Sequence, residues 1–344
     1  MRLTVIILAA GLGTRMRSSL PKALHPLAGK PLVQHVLDAV YAMGPVRPVL
    51  VVGHKADMVR KAVERYPLDI VYQERQLGTG HAVRQAADAI AQAEGPVMVL
   101  CADTPLLRPA TLASLAEAHV RAKAAVTVMT AKVDDPEGYG RIIRGRSGIL
   151  RIVEEKDATK SQKKVREVNT GIYCFENTFL LAALGGITNR NAQGEYYLPD
   201  TIPLALKKRS RVADVLCEDP DEAMGINSRY DLSVAEAFLQ ERINVQWMQA
   251  GVTMLDPFSV FIDVEVTIGR DTVLYPNVRL EGKTTLGEGC TVYPGSRMVD
   301  STCGSGVTIK DCCVIEDSRI ADRASVGPFA HLRPGTVLGP GSRI

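Results

Sequence analysis

Residues 4–16, T4-V-I-I-L-A-A-G-L-G-T-R-M16, decide the fold of the first part of the chain. The stretch begins with an unbroken apolar run, which is typical of a strand buried on both faces of a sheet. The run ends at Gly11 and Gly13, and Arg15 and Lys22 follow as two cations. Because glycine permits close backbone approach and a helix N-terminus attracts anions, we predict a turn that binds phosphate groups, with a helix just beyond it.

Two better-known glycine motifs do not fit this turn. A dinucleotide-binding G-x-G-x-x-G motif needs a third glycine at position 16, which is Met16. A Walker P-loop needs Lys-Ser or Lys-Thr after its last glycine, and neither follows here. The motif alone leaves another interpretation open, an ordinary tight strand-to-helix turn with two surface cations.

Apolar strands alternate with amphipathic segments up to about Ser228, and this predicts an α/β domain over residues 1–228. Such alternation is typical of a doubly wound, mostly parallel, Rossmann-like sheet. The clearest helix carries its apolar residues on one stripe, with Pro31 in its first turn and Gly44 after its end. The predicted segments are the strands 3–10, 48–52, 69–73 and 96–101 and the helix 31–43.

A long linker helix is predicted over residues 229–250. Ser228 is a suitable N-cap, Asp231 follows three positions later as in a capping box, and Gly251 stands just past the end. At 1.5 Å per residue the helix would be about 30 Å long. We therefore expect it to separate the first domain from a second one at residues 251–344.

In this second region, large apolar side chains recur at every sixth position. A period of six fits neither an α-helix nor a strand, but it is typical of hexapeptide repeats that build a parallel β-helix. The frame shifts once, and we attribute the shift to a loop inserted at residues 299–313. The repeat positions are Ile268, Leu274, Leu280, Leu286, Val292 and Met298, then Val314, Ile320, Val326, Leu332, Leu338 and Ile344.

Composition indicates a globular protein of the reducing cytoplasm. Of the 344 residues, 46% are hydrophobic and 23% are charged, and the small net charge of +3 is scattered, which argues against nucleic acid as a partner. The apolar residues 3–10 are too few to span a membrane and lack the cleavage site of a signal peptide. Seven cysteines without a C-x-x-C pair indicate neither a zinc site nor a disulfide framework.

A series of short motifs runs through the whole chain. The opening L8-A-A-G-L-G-T-R-M16 with P21-K22 resembles the signature of sugar-nucleotide pyrophosphorylases, a class of nucleotidyltransferases. Later motifs are Q73-E-R-Q-L-G-T-G-H-A82, D103-T-P-L106, G138-Y-G-R-I142, I152-V-E-E-K-D-A158, E167-V-N-T-G171, N191-A-Q-G-E-Y-Y197 and F329-A-H-L-R-P-G335. Together they resemble the bacterial family of bifunctional N-acetylglucosamine-1-phosphate uridylyltransferase / glucosamine-1-phosphate N-acetyltransferase, whose products feed cell-envelope synthesis.

The resemblance implies transfer of UMP from UTP to N-acetylglucosamine 1-phosphate, which gives UDP-N-acetylglucosamine and pyrophosphate. Both reactants are anions, so metal and cations are needed to offset their repulsion. The implied cofactor is Mg²⁺, held by Asp103 and Asn227, and the implied catalytic residues are Arg15, Lys22 and Asp103. Spacing alone leaves open that Asp103 caps the helix near Pro109 and that Asn227 only helps to start the long helix.

Substrate contacts are implied as well. A glutamine side chain carries both a donor and an acceptor and suits a pyrimidine edge, so we place Gln73 at the base and expect Gln76 and Gln85 to be solvated. The implied nucleotide-binding residues are Leu8, Ala9, Ala10, Gly11, Lys22, Gln73, Gly78, Thr79 and Asn227. The implied N-acetylglucosamine-binding residues are Gly140, Glu154 and Asn169.

One position departs from the family pattern. Cys101 and Ala102 precede Asp103, where the family commonly has an aromatic or small residue followed by glycine. Alanine adds only a methyl group, so we expect the change to be tolerated. The thiol of Cys101 is expected to serve as a small hydrophobic group rather than a reactive one.

For residues 251–344 the resemblance implies a left-handed β-helix that forms homotrimers and belongs to an acetyltransferase domain. Arg333 matches a sugar-phosphate contact of that second site, whereas we expect His331 to be a surface histidine. The family's catalytic histidine and the coils for acetyl-CoA would follow residue 344. We therefore expect a truncated chain that lacks the full-length protein's acetyl transfer from acetyl-CoA to glucosamine 1-phosphate.

Three alternatives remain at the level of sequence. One is a pyrophosphorylase for another sugar, such as glucose 1-phosphate with UTP or dTTP, against which Asn169 and the segment 191–197 argue. Another is a non-catalytic assembly subunit of the same architecture, and a third is an acetyltransferase alone. The presence of all four phosphate and metal positions favours an enzyme over the assembly subunit; these positions are Arg15, Lys22, Asp103 and Asn227.

Overall fold

A computed structural model of the chain describes residues 2–146 and 148–344, which divide into two compact units. The first unit consists of residues 2–25 and 31–231, and the second of residues 26–30 and 232–344. Residues 26–30, predicted as part of the first domain, therefore pack within the second unit, as does most of the long helix.

The elements before that helix alternate as expected of an α/β sheet. The strands are β1 (Thr4–Ala9), β2 (Pro26–Leu27), β3 (Lys30–Pro31), β4 (Val49–Val52), β5 (Asp69–Tyr72), β6 (Val97–Cys101), β7 (Val126–Lys132), β8 (Gly140–Gly145), β9 (Gly148–Val153), β10 (Glu167–Phe175) and β11 (Val212–Leu216). The α-helices are α1 (Leu32–Ala42), α2 (Ala56–Ala62), α3 (Thr79–Arg84), α4 (Ala87–Ala91), α5 (Pro109–Ala122), α6 (Asn177–Gly186) and α7 (Thr201–Lys207). Single 3₁₀ turns are Thr14–Met16, Lys22–Leu24, Gln162–Lys164, Leu198–Asp200 and Pro220–Ala223.

The first unit is built on one sheet of order β11-β7-β10-β6-β1-β4-β5. The strands of this order pair in parallel except β10, which is antiparallel to both β6 and β7. Two further antiparallel strands, β8 and β9, extend the sheet beside β10. The prediction of a mostly parallel sheet is confirmed.

Helices cover both faces of this sheet, because successive side chains of a strand point to opposite sides. Ile7 of β1 belongs to one hydrophobic cluster together with Leu37 of α1. Its neighbour Ile6 belongs to a second cluster together with Leu180 of α6. The side chains of Ile6, Ile7, Leu37 and Leu180 are all fully buried. Double winding leaves the carboxyl ends of the parallel strands as the place for a ligand.

The long helix α8 spans Arg229–Gln249, within one residue of the prediction. Ser228 Oγ accepts a hydrogen bond from the Asp231 N–H at 3.1 Å, and the Asp231 carboxylate accepts one from the Ser228 N–H at 2.8 Å. These reciprocal bonds are the capping box that the sequence predicts. Among residues 2–146 and 148–344, none of the helices combines the length and the apolar composition that a membrane span requires.

The rest of the second unit is a parallel β-helix made of three stacked five-stranded sheets. The first sheet contains β12 (Thr253–Met254), β15 (Val273–Leu274), β18 (Thr291–Val292), β21 (Thr308–Ile309) and β24 (Ser325–Val326). The second contains β13 (Phe261–Ile262), β16 (Arg279–Glu281), β19 (Arg297–Val299), β22 (Val314–Glu316) and β25 (His331–Leu332). The third contains β14 (Thr267–Ile268), β17 (Thr285–Leu286), β20 (Thr302–Cys303), β23 (Arg319–Ile320) and β26 (Val337–Leu338), and a 3₁₀ turn lies at Pro257–Ser259.

The prediction that hexapeptide repeats build a β-helix is confirmed, but the prediction of a loop inserted at residues 299–313 is wrong. The predicted residues of the first frame are buried, and β20 and β21 continue the coil through the region where the loop was expected. Met298 stacks on Ile315 rather than on Val314, which is only half-buried. In the second frame Leu338 is half-buried and Ile344 exposed, whereas the three repeat residues between Val314 and Leu338 are buried.

The frame shift comes from two short corners. Met298 is followed by Cys303, and Ile315 by Ile320, so each of these steps has five residues instead of six. Asp300 in one corner and Asp317 in the other adopt positive φ angles of 46° and 38°. Aspartate tolerates this left-handed conformation better than most residues. The left-handed residue turns the chain sharply, so that the corner closes with one residue fewer than in a six-residue step.

Candidate active site

A cleft of about 400 Å³ lies in the first unit, where β1 and β6 end. It is lined by Leu8, Ala9, Ala10, Gly11, Leu12, Gly13, Thr14, Arg15, Pro21, Lys22, Ala23, Gln73, Gln76, Gly78, Thr79, Ala82, Cys101, Ala102, Asp103, Glu195 and Asn227. Every residue that was predicted for the nucleotide, the metal or catalysis is therefore at this cleft. Gly140, Glu154, Asn169 and Arg333 lie elsewhere.

The glycine turn after β1 has a different local structure from the one expected. Instead of a longer helix, a single 3₁₀ turn at Thr14–Met16 follows it and carries Arg15. Gly13 adopts φ +60°, and a Cβ atom there would lie 2.8 Å from the Cβ of Lys22. A Cβ at Gly11 would meet nothing within 4 Å, so the backbone is open at this position.

Four charged or polar side chains converge at one edge of the cleft. Lys22 Nζ forms an ion pair with Asp103 Oδ2 and donates a hydrogen bond to Asn227 Oδ1 at 3.0 Å. Arg15 Nη2 donates to the same Asn227 oxygen at 2.9 Å. The side chains of Lys22 and Asp103 are only 19% and 18% exposed. Because partial burial weakens solvent screening, the Lys22–Asp103 attraction is stronger than that of a surface pair.

Backbone contacts bring Asp103 and Asn227 together. The Ile226 N–H donates to the Asp103 carbonyl at 2.8 Å, so the chain before α8 runs beside the end of β6. The Asn227 N–H donates to the Asp231 carboxylate at 2.8 Å, which places Asn227 just before the capped end of the helix. Asp103 does not cap α5, since the residue at that N-cap is Arg108. Asn227 does adjoin the helix start, and its side chain also reaches the cleft.

Cys101 ends β6 and borders the cleft. Burial raises the pKa of its thiol to about 12, so the thiol is protonated near neutral pH and does not act as a thiolate nucleophile. This agrees with the expected role as a small hydrophobic group.

Gln73 and Gln76 border another part of the cleft. Gln73 is 4% exposed, and its Nε2 lies 3.2 Å from the Gly78 carbonyl oxygen and 2.9 Å from His81 Nδ1. Gln76 was expected to be solvated, but it is half-buried, lines the cleft and donates from Nε2 to the Gln73 carbonyl at 3.1 Å. The expectation is wrong for Gln76 because its side chain folds back onto the Gln73 carbonyl. Gln85 is half-buried as well, and its Nε2 donates to the His81 carbonyl at 3.0 Å.

Three residues predicted to bind the sugar form a separate cluster beside the cleft. Gly140 of β8 pairs with Asn169 of β10, and a Cβ at Gly140 would lie 3.1 Å from Glu154 Oε1. Asn169 Oδ1 accepts hydrogen bonds from the Gly171 N–H at 3.0 Å and the Tyr173 hydroxyl at 2.8 Å. The cluster adjoins the cleft, because a Cβ at Gly171 would lie 3.4 Å from Cys101 Sγ.

Glu154 has an unusual acidity for a carboxyl group. Burial, followed by the charges of Asp157, Asp200 and Glu195, raises its pKa to about 7, while Arg141 acts in the opposite direction. At neutral pH the side chain is therefore divided between a hydrogen-bond donor and an acceptor. Glu195, a cleft residue, was missed by sequence reasoning; the signal was the segment 191–197, which was recognised without assigning a role to any of its residues.

Arg333 belongs to the second unit and is exposed just after β25. His331 is exposed too, and its Nε2 lies 3.1 Å from Glu316 Oε2. Its surface position agrees with the prediction. In the ranges 2–146 and 148–344 there is no group of three or more His, Cys, Asp or Glu side chains suited to a metal ion.

The fold and the charged edge of the cleft define a nucleotidyltransferase. The profile of the MobA-like NTP transferase domain family matches residues 5–168. A crystal structure of a Bacillus anthracis protein, provisionally described as a glucose-1-phosphate thymidylyltransferase, covers 69% of this chain and 94% of its own with a TM-score of 0.54. At 19% identity this likeness shows the fold alone.

Similarity over nearly the whole chain identifies the family. A protein of Heliobacterium modesticaldum named bifunctional protein GlmU is 48% identical over 342 residues, which are 99% of this chain and 74% of the relative. Proteins of the same name from Pelotomaculum thermopropionicum and Shouchella clausii are 48% identical over 345 residues and 45% identical over 340 residues, with 75% and 74% of the relatives covered. The chain belongs to the family of bifunctional GlmU proteins.

Proposed function

We propose that the chain transfers UMP from UTP to N-acetylglucosamine 1-phosphate and releases pyrophosphate. The observation that carries the proposal is the convergence of Arg15 and Lys22 on the oxygens of Asp103 and Asn227 at the carboxyl end of the parallel sheet. A site for joining two phosphate anions needs cations and oxygen ligands at one place. Membership of the GlmU family supports the choice of nucleotide and sugar.

The two cations have separate parts in the proposed reaction. The phosphate oxygen of the sugar attacks the α-phosphorus of UTP, and the bond to the β-phosphate oxygen breaks. Arg15, with its fork of N–H donors, holds the triphosphate and the charge that develops on the leaving pyrophosphate. Lys22 provides a mobile point charge at the same edge. Glycine at position 11 leaves the backbone open to the nucleotide.

Asp103 and Asn227 fit a Mg²⁺ ion. One offers a carboxylate oxygen and the other an amide oxygen, the ligand chemistry that magnesium prefers. Both oxygens converge on a cation in this structure, the ammonium group of Lys22. Bound there, magnesium would withdraw electron density from the α-phosphate and neutralise charge.

The remaining predicted residues are assigned to the two substrates. We place the uracil and ribose at Gln73, Gly78 and Thr79, and the nucleotide backbone contacts at residues 8–11, all of which line the cleft. The sugar is placed at the neighbouring cluster of Gly140, Glu154 and Asn169. The absence of a side chain at Gly140 leaves room beside Glu154.

The function is tested by pyrophosphate release from UTP with N-acetylglucosamine 1-phosphate and magnesium. We expect Asp103→Ala to lower kcat by about 10³-fold, since it removes a charged group at the reacting phosphates. Asp88→Ala, which removes an exposed carboxylate from α4, is the matched control and should keep the wild-type rate. Equal rates for the wild type and Asp103→Ala would remove Asp103 from the mechanism. Faster turnover with glucose 1-phosphate would instead favour another sugar.

We also propose that the chain forms a homotrimer through the β-helix of its second unit. Phe329 and Val337 of the β-helix are 78% and 72% exposed, and burial of such side chains between copies would stabilise an oligomer. Sedimentation equilibrium of the chain would give three times the monomer mass if the proposal is right.

A further inference from the structure

The hydrogen bonds of Gln73 determine which polar atom it presents to the cleft. Its Nε2 lies within hydrogen-bond distance of the Gly78 carbonyl oxygen at 3.2 Å and of His81 Nδ1 at 2.9 Å. A carbonyl oxygen can only accept, so the atom facing it must be the amide nitrogen. The orientation of the Gln73 amide is therefore fixed by its partners.

The same logic fixes the form of His81. With Gln73 Nε2 donating one hydrogen to Gly78, its second hydrogen faces His81 Nδ1 at 2.9 Å, and Nδ1 is then the acceptor. The competing contact, from Gln85 Nε2 to His81 Nε2, is longer at 3.4 Å, and Gln85 Nε2 already donates to the His81 carbonyl at 3.0 Å, so we place the ring proton on Nε2. Burial, and the positive charge of Arg84, lower the pKa of His81, which favours this neutral form near pH 7.

These bonds leave Gln73 Oε1 as the free polar atom of a side chain that is 4% exposed and lines the cleft. Among residues 2–146 and 148–344, both hydrogen bonds of the Gln73 side chain are made by Nε2, and none is made by Oε1. We propose that His81 is a specificity-determining positioning residue, which locks the Gln73 amide so that the cleft offers an acceptor to the base. The proposal rests on the assignment of the nucleotide to this cleft.

An acceptor at this position distinguishes the two common pyrimidines. Uracil carries a hydrogen on N3 and can donate it to Gln73 Oε1, whereas cytosine has a lone pair on N3 that would face the oxygen. If the amide could turn over, its NH₂ group would meet the cytosine lone pair favourably. Turning it over in the wild type would sacrifice the bonds to Gly78 and His81 and would set Oε1 against two other acceptors, the Gly78 oxygen and His81 Nδ1; buried acceptors without a donor are costly. His81 thereby disfavours the orientation that accepts cytosine.

The test is the ratio of the dissociation constants for UTP and CTP, measured by titration calorimetry with magnesium. These nucleotides differ only in the base, so the ratio does not depend on the phosphate contacts. We expect the wild type to prefer UTP at least about tenfold, and His81→Phe to lower this preference about fivefold, the equivalent of one neutral hydrogen bond. Phenylalanine keeps a ring near Tyr196, whose ring centroid lies 6.4 Å from that of His81. If His81→Phe does not fold, His81→Leu takes its place.

Two further variants separate the locking role from a structural one. His81→Asn can place its side-chain oxygen near the position of Nδ1 and should restore the preference for UTP. Gln85→Ala removes a side chain near the other ring nitrogen, 3.4 Å from His81 Nε2, and should leave the preference unchanged. Unchanged preference in the phenylalanine and leucine variants, or equal binding of the nucleotides by the wild type, would overturn the proposal.

The binding experiment and the turnover experiment test two different proposals, so one proposal can fail while the other stands. A wild type that prefers UTP in binding, and loses this preference in His81→Phe, supports the role of His81 even if no pyrophosphate is released with N-acetylglucosamine 1-phosphate. In that case the proposed transfer reaction would be wrong, and the inference about the base would stand.

Discussion

The edge of the cleft and the core of the β-helix differ in how far apart in sequence their contacting residues are. At the cleft, Arg15 and Asn227 meet although they are 212 positions apart, and Lys22 and Asn227 are 205 apart. In the β-helix, each inward residue stacks on one 18 positions away, as Leu274 does on Val292, or 17 positions away across a short corner. Local repetition thus builds stability, whereas chemistry depends on contacts that the whole fold must assemble.

The largest effect is expected in the repeat. Ile315 is fully buried, whereas its neighbour Val314, which the regular six-residue frame selects, is half-buried. We expect Ile315→Ala to lower the free energy of unfolding by about 4 kcal/mol, from lost burial and the cavity left behind. Val314→Ala is the matched control and should cost less than about 1 kcal/mol. Urea unfolding followed by circular dichroism measures both free energies. A larger loss of stability in Val314→Ala than in Ile315→Ala would show that Val314, and not Ile315, is the inward residue of this coil.

At the cleft we expect the opposite balance between rate and stability. Lys22→Ala should lower kcat for pyrophosphate release by about 10²-fold, or roughly 3 kcal/mol, because one cation at the reacting phosphates is lost. Its melting temperature should change little, since Asp103 and Asn227 keep contact with solvent. Lys207→Ala, at the exposed end of α7, controls for the loss of a positive charge. A Lys22→Ala variant with wild-type kcat would contradict this assignment.

The smallest effect concerns pH. The folded-state pKa of Glu154 is raised from 4.5 to about 7, so folding favours its protonated form, and that stabilisation is lost as the pH rises from about 4.5 through 7. Glu154→Gln is neutral at every pH and should therefore gain stability relative to the wild type, by about 2 kcal/mol at pH 8 compared with pH 4. Differential scanning calorimetry at these two pH values measures the gain. A pH-independent difference would show that Glu154 has an ordinary pKa in the folded protein.

The same contrast explains what the sequence could predict. Strand and helix bounds were predictable to within about a residue at β1, β6 and α8, because periodicity and capping are local properties. The two short corners were not, since the step from 314 to 320 happens to have the length of a regular repeat. A paired Asp-Ser at 300–301 and 317–318 was the available signal.

Most of the cleft could not be worked out from spacing. Resemblance supplied Asp103 and Asn227, and the structure brings them together through the bond from Ile226 to the Asp103 carbonyl. The locking contact of His81 with Gln73 depends on how the turn between them folds back. Periodicity carries no information about such a turn, because it describes which face a residue takes and not which side chains meet.

Gly13 has no side chain, yet it determines where the long side chain of Lys22 begins. Its positive φ bends the turn back, and the Cβ of Lys22 occupies the space that any larger residue at position 13 would need. The stem of Lys22 therefore lies against the turn at its base, and its Nζ contacts both Asp103 Oδ2 and Asn227 Oδ1. The turn therefore anchors the lysine and confines its ammonium group to positions beside these two oxygens.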